Sequence, residues 1–282
     1  MIKADINFIG NLREILNNGC LDENPRAKYK DGTPAHTKYI TQVFETYDLE
    51  KGEFPITTLR NTAILGGIKE IYWIYSMQSN DLDDLAKLSV KWWNDWNIGD
   101  SVHRHIGERY GKTIKNWGLM DKLLNGLKNN PFGRRHIINM WQEADLRKAG
   151  GLDECAYETI WSVRRDGKNM LLDMTLIQRS SDYITAGYIN KIQYVALQMM
   201  VAAHCGYGVG KFSHMVQNLH IYDRHIDAAQ EILSRSPKNF QPSIALPYEV
   251  AFKNSFYDIT PEEFVIDYAI TEKLKSPLEL AI

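Results

Sequence analysis

An α+β fold is predicted, on three observations. Helix-spaced and strand-like runs are mixed along the chain without strict βαβα alternation. Residues 157–164 and 169–177 alternate around Asp166-Gly167, an antiparallel hairpin signal. Residues 190–204, with Ile192, Tyr194, Val195, Leu197, Met199, Met200 and Val201, predict a long buried helix. No repeat, low-complexity tract or linker divides the 282 residues, so one domain over 1–282 is expected.

In chain order, Ile6, Ile9, Leu12, Ile15 and Leu16 predict a helix over 5–18, stopped by Asn17-Asn18-Gly19. The polar loop 22–34, with Arg26 and the Asp31-Gly32 turn, suits either a phosphate site or a solvated connector. Thr37, Tyr39, Ile40, Val43, Phe44 and Tyr47 predict a strand over 37–48, and Phe54–Thr58 a short extended piece. Residues 62–78 read as a largely buried helix, with Glu70 among Ile68, Ile71, Trp73 and Ile74. A carboxylate there either snorkels to the surface or is desolvated with a raised pKa; the pattern by itself favours the surface.

Residues 81–90 predict another short helix. Trp92, Trp93 and Trp96 either cap a core or form a stacking wall for a flat ring. A glycine-punctuated loop, 106–111, carries Tyr110, and 119–128 predict an amphipathic helix ended by Asn129-Asn130-Pro131. Arg134 and Arg135 precede a strand over 137–141; adjacent guanidinium forks suit a phosphate or a plain surface pair. Gly206 and Gly208 end the long helix, a strand over 212–222 returns, and a helix over 223–234 has Asp223 as its N-cap. The tail alternates strand-like pieces, 244–250 and 263–270, with Pro-marked turns.

A formal net charge of −2 gives no global basic field for nucleic acid. Cys20, Cys155 and Cys205 are odd in number and lack Cys-x-x-Cys spacing. That argues against a disulfide framework or zinc ribbon and fits a reducing, cytoplasmic setting. No stretch is apolar enough to span a bilayer, and the first residues do not read as a signal peptide. Dinucleotide, Walker and His-Glu-x-x-His motifs are absent, and no metal is expected.

The chemistry concentrates around Cys155, at the lip of a strand after Gly151-Leu152-Asp153-Glu154. Such a cysteine is either a core filler or a nucleophile, since its thiolate is accessible and reactive near neutral pH. Gln178-Arg179-Ser180-Ser181-Asp182 and Asn190 add a fixed positive charge, hydroxyls, a carboxylate and amides. The two stretches together suit an anionic, hydrogen-bonding heterocycle held over a thiolate.

With these pieces in order, the chain resembles the thymidylate synthase family over nearly its whole length. The resemblance rests on Asp31–Thr37, Gly52–Thr58, Lys69–Trp73, Trp93–Trp96, Tyr110-Gly111, Pro131–Ile138, Gln178–Asp182 and His220-Ile221-Tyr222. It implies a symmetric homodimer in which a mixed β-sheet flanked by helices packs face to face against its partner. It also implies reductive methylation of dUMP to dTMP, with 5,10-methylenetetrahydrofolate as one-carbon donor and reductant. By resemblance Cys155 adds to C6 of the uracil, and Arg179, Ser180 and Arg26 bind the phosphate. Arg134 and Arg135 come to it from the opposite subunit, and Gln178 and Ser181 belong to the same dUMP set. Asn190 reads N3–H and O4, as an amide can, and His220 and Tyr222 grip the deoxyribose hydroxyl. Glu70 moves protons near O4; Tyr110 and Asp182 assist loss of the C5 proton and hold the pterin. Trp93, Trp96 and Leu152 face the folate, and Ile282 closes over the site.

The chain departs from the family at named positions. Asp153-Glu154 replace a proline before Cys155, and two acids there are expected to raise the thiol pKa. Leu59 replaces a common lysine, Asn94 a common aspartate beside the tryptophan, and Gln217-Asn218 a small residue and an aspartate before His220. Ala186-Gly187-Tyr188-Ile189 reshapes the loop before Asn190. These departures leave a deoxyuridylate or deoxycytidylate hydroxymethylase, with water trapping the methylene, as the alternative. Trp93 and Leu152 favour hydride transfer, and Asn190 favours uracil. A third reading, a nucleotide- or folate-binding protein without catalysis, is opposed by Cys155 and Arg179.

Overall fold

The Asp166-Gly167 turn seeds the sheet. In the computed structural model, which describes residues 1–148, 151–247, 249–250 and 255–282, Gly167 takes φ +57° between β4 (Ala156–Asp166) and β5 (Asn169–Asp182). The two pair antiparallel from Asp166↔Asn169 to Ala156↔Gln178. The chain then crosses through α7 (Gly187–Cys205) and returns as β6 (Gly208–Tyr222), parallel to β5. A parallel partner needs such a crossover, and a helix supplies it. β2 (Thr37–Asp48) pairs antiparallel with β6, and β1 (Cys20–Leu21) and β3 (His136–Asn139) form the edges, giving the order β1-β2-β6-β5-β4-β3.

α7 is buried without interruption from Lys191 to Ala202, as a helix apolar on most sides must be. It lies between the sheet and α2 (Ile64–Tyr75), and Gly206 closes it at φ +72°. α1 (Lys3–Asn18) buries Phe8, Leu12 and Ile15 beside β2. The remaining helices are α3 (Leu82–Lys87), α4 (Gly111–Trp117), α5 (Leu119–Asn129), α6 (Glu143–Leu146) and α8 (Ile226–Ser234). β7 (Ser243–Ala245) and β8 (Val265–Asp267) form a separate antiparallel pair. Beneath α7, Lys191 Nζ lies 2.7 Å from Glu45 Oε2, both buried, and Asn11 and Tyr183 donate to Glu45 Oε1.

The opposite sheet face is open. Register sets Phe44 beside Met215 and Met215 beside Ile177, with Ile137 beside Ile160. Phe44 is 62% exposed, Ile137 46% and Ile160 36%, so an apolar stripe faces outward. Among the described residues no helix is long and apolar enough to cross a membrane.

The structure corrects several boundaries. Phe54–Thr58 is a loop, because Thr57 and Thr58 donate to the buried carboxylate of Asp5 and not to a neighbouring strand. Residues 62–78 and 81–90 shorten to α2 and α3, and the strand expected over 137–141 ends at Asn139, whose side chain accepts the N–H of Trp141. Asp223 does not cap α8: a 3₁₀ turn, Asp223–His225, intervenes, and the carboxylate accepts the hydroxyl of Tyr29 and the N–H of Arg224. The strands expected at 244–250 and 263–270 reduce to β7 and β8, and residue 248 lies outside the described residues. α4 and α6 are too short to show a helical period and went unpredicted.

Candidate active site

The C-terminal half of β5, the first turn of α7, the start of β4 and the tryptophan segment enclose a cavity of ≈ 350 Å³. That is the size of a small-ligand site. Cys155 lies half-buried in its wall. Arg179, facing outward from β5, is fastened to the segment before the thiol: Nε donates to Glu154 O at 3.0 Å and Nη2 to Asp153 O at 2.7 Å. The backbone N–H of Arg179 also donates to Cys155 O at 2.9 Å, so sulfur and guanidinium are positioned by one piece of sheet. Burial pushes the thiol pKa up; Arg179 and Arg26 pull it down, and Glu154 and Asp153 add to the rise. The acids thus act in the expected direction, but burial is the larger cause. Neither acid faces the cavity as a free charge: Asp153 pairs with Arg109 at 3.2 Å, and Glu154 is buried with Oε1 accepting the Tyr110 N–H at 2.9 Å.

A chain of amides orients Asn190. Gln178 Nε2 donates to the carbonyl of Ser180 at 3.3 Å, which fixes the identity of its two ends. Its Oε1 accepts from Nε2 of the buried His214 at 2.6 Å, a histidine whose pKa burial lowers to about 3. The same Nε2 donates to Asn190 Oδ1 at 3.1 Å, and Asn190 Nδ2 donates to Gln193 Oε1 at 3.0 Å. Asn190 therefore offers one acceptor and one donor in a set direction.

Asp182 holds the turn into α7, accepting from the N–H groups of Ile184 and Thr185 at 3.2 Å and from the Thr185 hydroxyl. His220 Nδ1 donates to Asn218 Oδ1 at 3.0 Å, and burial lowers its pKa, leaving Nε2 an acceptor. Asn218 thus supplies the acceptor that the family's aspartate would. Tyr222 packs edge-on to His220, ring centres 5.3 Å apart.

Glu70 is not at the surface. It is 6% exposed, lines the cavity and accepts the Trp92 indole N–H. Burial raises its pKa despite the N–H donors of Trp93, Trp92 and Gln193 around it. One helical turn away, Gly66 makes room for Trp92: a Cβ there would sit 2.5 Å from the indole ring. Trp93 packs 5.4 Å from Trp96 and 5.1 Å from Tyr110, centre to centre, and Leu152 joins the same wall. The rings are tilted against one another, 59° between Trp93 and Trp96, and make an apolar wall ended by the buried acid Glu70. Tyr110 takes φ +48° and its hydroxyl accepts the Cys155 N–H at 3.1 Å. At the rim, Ile282 and Lys28 exchange backbone hydrogen bonds of 2.8 and 3.0 Å, holding Ile282 in the lining.

Of the expected residues, Arg26, Ser180 and Ser181 also line the cavity, whereas Arg134 and Arg135 stand exposed before β3 and do not. Trp92, read from the sequence only as part of the tryptophan cluster, lines it too, and Thr185, Ile189, Gln193 and Leu280 do so without having been singled out. Gln193, three residues after Asn190 on one helix face, carried the clearest signal. Leu59, in place of a lysine, is fully buried. Among the described residues no group of three or more His, Cys, Asp or Glu could hold a metal.

Comparison with known proteins finds relatives along the whole chain. The family profile described as thymidylate synthase matches residues 6–280. The thymidylate synthase of Streptococcus pyogenes serotype M3 is 46% identical over 283 residues, covering all of both chains. That of Streptococcus pneumoniae strain 70585 is 49% identical over 270 residues, 95% of each. The solved structure of thermostable thymidylate synthase A from Bacillus subtilis superposes with a TM-score of 0.86 at 33% identity, covering 99% of both chains. A thiol, a guanidinium and an oriented amide meeting in one cavity, within a fold shared end to end with these relatives, place the chain in the thymidylate synthase family.

Proposed function

We propose that this cavity carries out the reductive methylation of dUMP to dTMP, with the whole of residues 1–282 acting as one catalytic unit. The observation that carries the reading is the convergence of Cys155, Arg179 and Asn190 on one cavity. Cys155 Sγ adds to C6 of the uracil, and the electron pair moves through C5 to O4, making C5 nucleophilic. Asn190 accepts from N3–H and donates to O4, stabilising the charge that develops there. Glu70, whose pKa burial raises, supplies and takes back the proton at O4 through solvent. Tyr110, beside the sulfur, assists loss of the C5 proton, and Asp182 faces the same ring.

Arg179, Arg26 and Ser180 hold the phosphate, and His220 and Tyr222 the deoxyribose hydroxyl. Bound 5,10-methylenetetrahydrofolate supplies the one-carbon unit and the hydride. Trp93, Trp96 and Leu152 stack and shield it, with Asp182 and Ile282 at its edges, and exclude water from C5. The protein works as a homodimer in the cytoplasm. The outward apolar row of Phe44, Met215 and Ile177 and the neighbouring pair of Ile137 and Ile160 support pairing of two sheets, because large exposed apolar patches mark interaction surfaces. Arg134 and Arg135, exposed and outside their own cavity, are free to serve the partner's phosphate site. The hydroxymethylase reading is not favoured: the relatives at 46% and 49% identity are named thymidylate synthase.

Purified protein given dUMP and 5,10-methylenetetrahydrofolate should build dihydrofolate absorbance together with a product of dTMP mass. Hydroxymethyl-dUMP without dihydrofolate would overturn the reading.

A further inference from the structure

The family's proline before the nucleophile is Glu154 here, and its side chain is turned into the protein. It is 1% exposed, and its Oε1 accepts the backbone N–H of Tyr110 at 2.9 Å while Oε2 has no hydrogen-bond partner. Tyr110 stands at φ +48°, ψ −111°, a backbone state that a residue with a bulky side chain leaves unless it is held. Its phenol oxygen accepts the N–H of Cys155 at 3.1 Å, and Trp93 backs the ring edge-on at 5.1 Å. Residues 154 and 155 therefore grip Tyr110 at both ends, by its main chain and by its hydroxyl. Gly111 follows with no room for a side chain, since a Cβ would sit 2.2 Å from Ser79 O, so the chain after the tyrosine runs close against the backbone of residue 79.

We propose that Glu154 is a positioning residue for turnover: its carboxyl clamps the strained main chain of Tyr110 and so holds the phenol against the Cys155 segment. A proline has no side-chain acceptor, so the chain has traded a stiff residue before its nucleophile for a hydrogen bond to the neighbouring loop. The inference rests on the part given to Tyr110 in the proposed reaction. The bond needs an acceptor, not a charge, so glutamine satisfies it and alanine does not.

The test compares Glu154→Gln, Glu154→Ala, Tyr110→Phe and the Glu154→Ala/Tyr110→Phe double variant, by steady-state kinetics and by amide hydrogen exchange in the ligand-free protein. Glu154→Ala should speed exchange of the Tyr110 amide about tenfold or more, the loss expected for one buried hydrogen bond. It should lower kcat about tenfold or more with KM for dUMP nearly unchanged. Glu154→Gln should keep both within about threefold of the parent. In the Tyr110→Phe background the alanine substitution should cost much less, because both changes spoil the same group. Unchanged exchange in Glu154→Ala, or glutamine failing as badly as alanine, would overturn the clamp. So would full turnover in Glu154→Ala when Tyr110→Phe is impaired. If Tyr110→Phe alone turns over normally while exchange responds as expected, the error lies in the tyrosine's part in the reaction, and the inference about turnover falls with it.

Discussion

Cys155 shows how a side chain can be marked by its neighbours and still be tuned by burial. Its partners in sequence were two acids, yet burial is the first cause of its raised pKa, and both acids are engaged elsewhere. A raised pKa leaves less thiolate at a given pH. Alkylation of Cys155 by iodoacetamide should therefore be slow near neutrality and climb with pH, with its midpoint above the ordinary thiol value of about 8.5. A midpoint below that value would show the arginines dominating. Asn190 is the second residue whose task follows from its hydrogen bonds. In the proposed reaction Asn190→Asp replaces the donor to O4 by an acceptor, which suits cytosine, so the ratio of kcat/KM for dUMP over dCMP should fall by about a hundredfold or more. An unchanged ratio would mean the base is read elsewhere. Both residues were legible in the sequence as candidates for the cavity they line, because few residue types suit this chemistry. The place of Glu70 was legible only through the family resemblance: one carboxylate on an apolar helix face is compatible with either surface or cavity, and the indole of Trp92 decides it only in three dimensions.

Among the elements, β2 was legible to the residue, and the β4–β5 hairpin, α1 and α7 in type and place, with β5 running on to Asp182 and α7 starting at Gly187, since period and turn chemistry agreed along each. The short helices and the C-terminal strands were not. Nor was the loop at Phe54–Thr58, where Thr57 and Thr58 turn to the distant acceptor Asp5. The packing of α7 on β2 also escaped sequence reading, because Lys191 within an apolar helix gives no hint of Glu45 far upstream. With Lys191 1% and Glu45 6% exposed, their 2.7 Å pair ties the helix that carries Asn190 to the sheet. Lys191→Met should strand the carboxylate and cost about 3–5 kcal/mol in denaturant unfolding, and Glu45→Gln added to it should recover part of that loss. A single variant as stable as the parent would remove the pair from the account of α7.

For the whole molecule, the open sheet face and the outlying arginines make one argument. If each cavity borrows Arg134 and Arg135 from its neighbour, two defective chains should repair each other. Refolding Cys155→Ser together with Arg134→Ala/Arg135→Ala in equal amounts gives mixed dimers in which one cavity has both its own thiol and donated arginines. Activity should rise from near zero to about a quarter of the parent. No recovery would mean that each chain supplies its own phosphate ligands. The family resemblance suggested both the arginines and their place in the opposite subunit, and the fold leaves them outside their own cavity.

Gly66 sets a harder limit than its plain side chain suggests. The methyl group of an alanine there would sit 2.5 Å from the indole of Trp92, and the ring must then move from its bond to Glu70. A codon library randomised at this one position, plated on cells that cannot grow without a working copy of the enzyme, should return glycine almost alone.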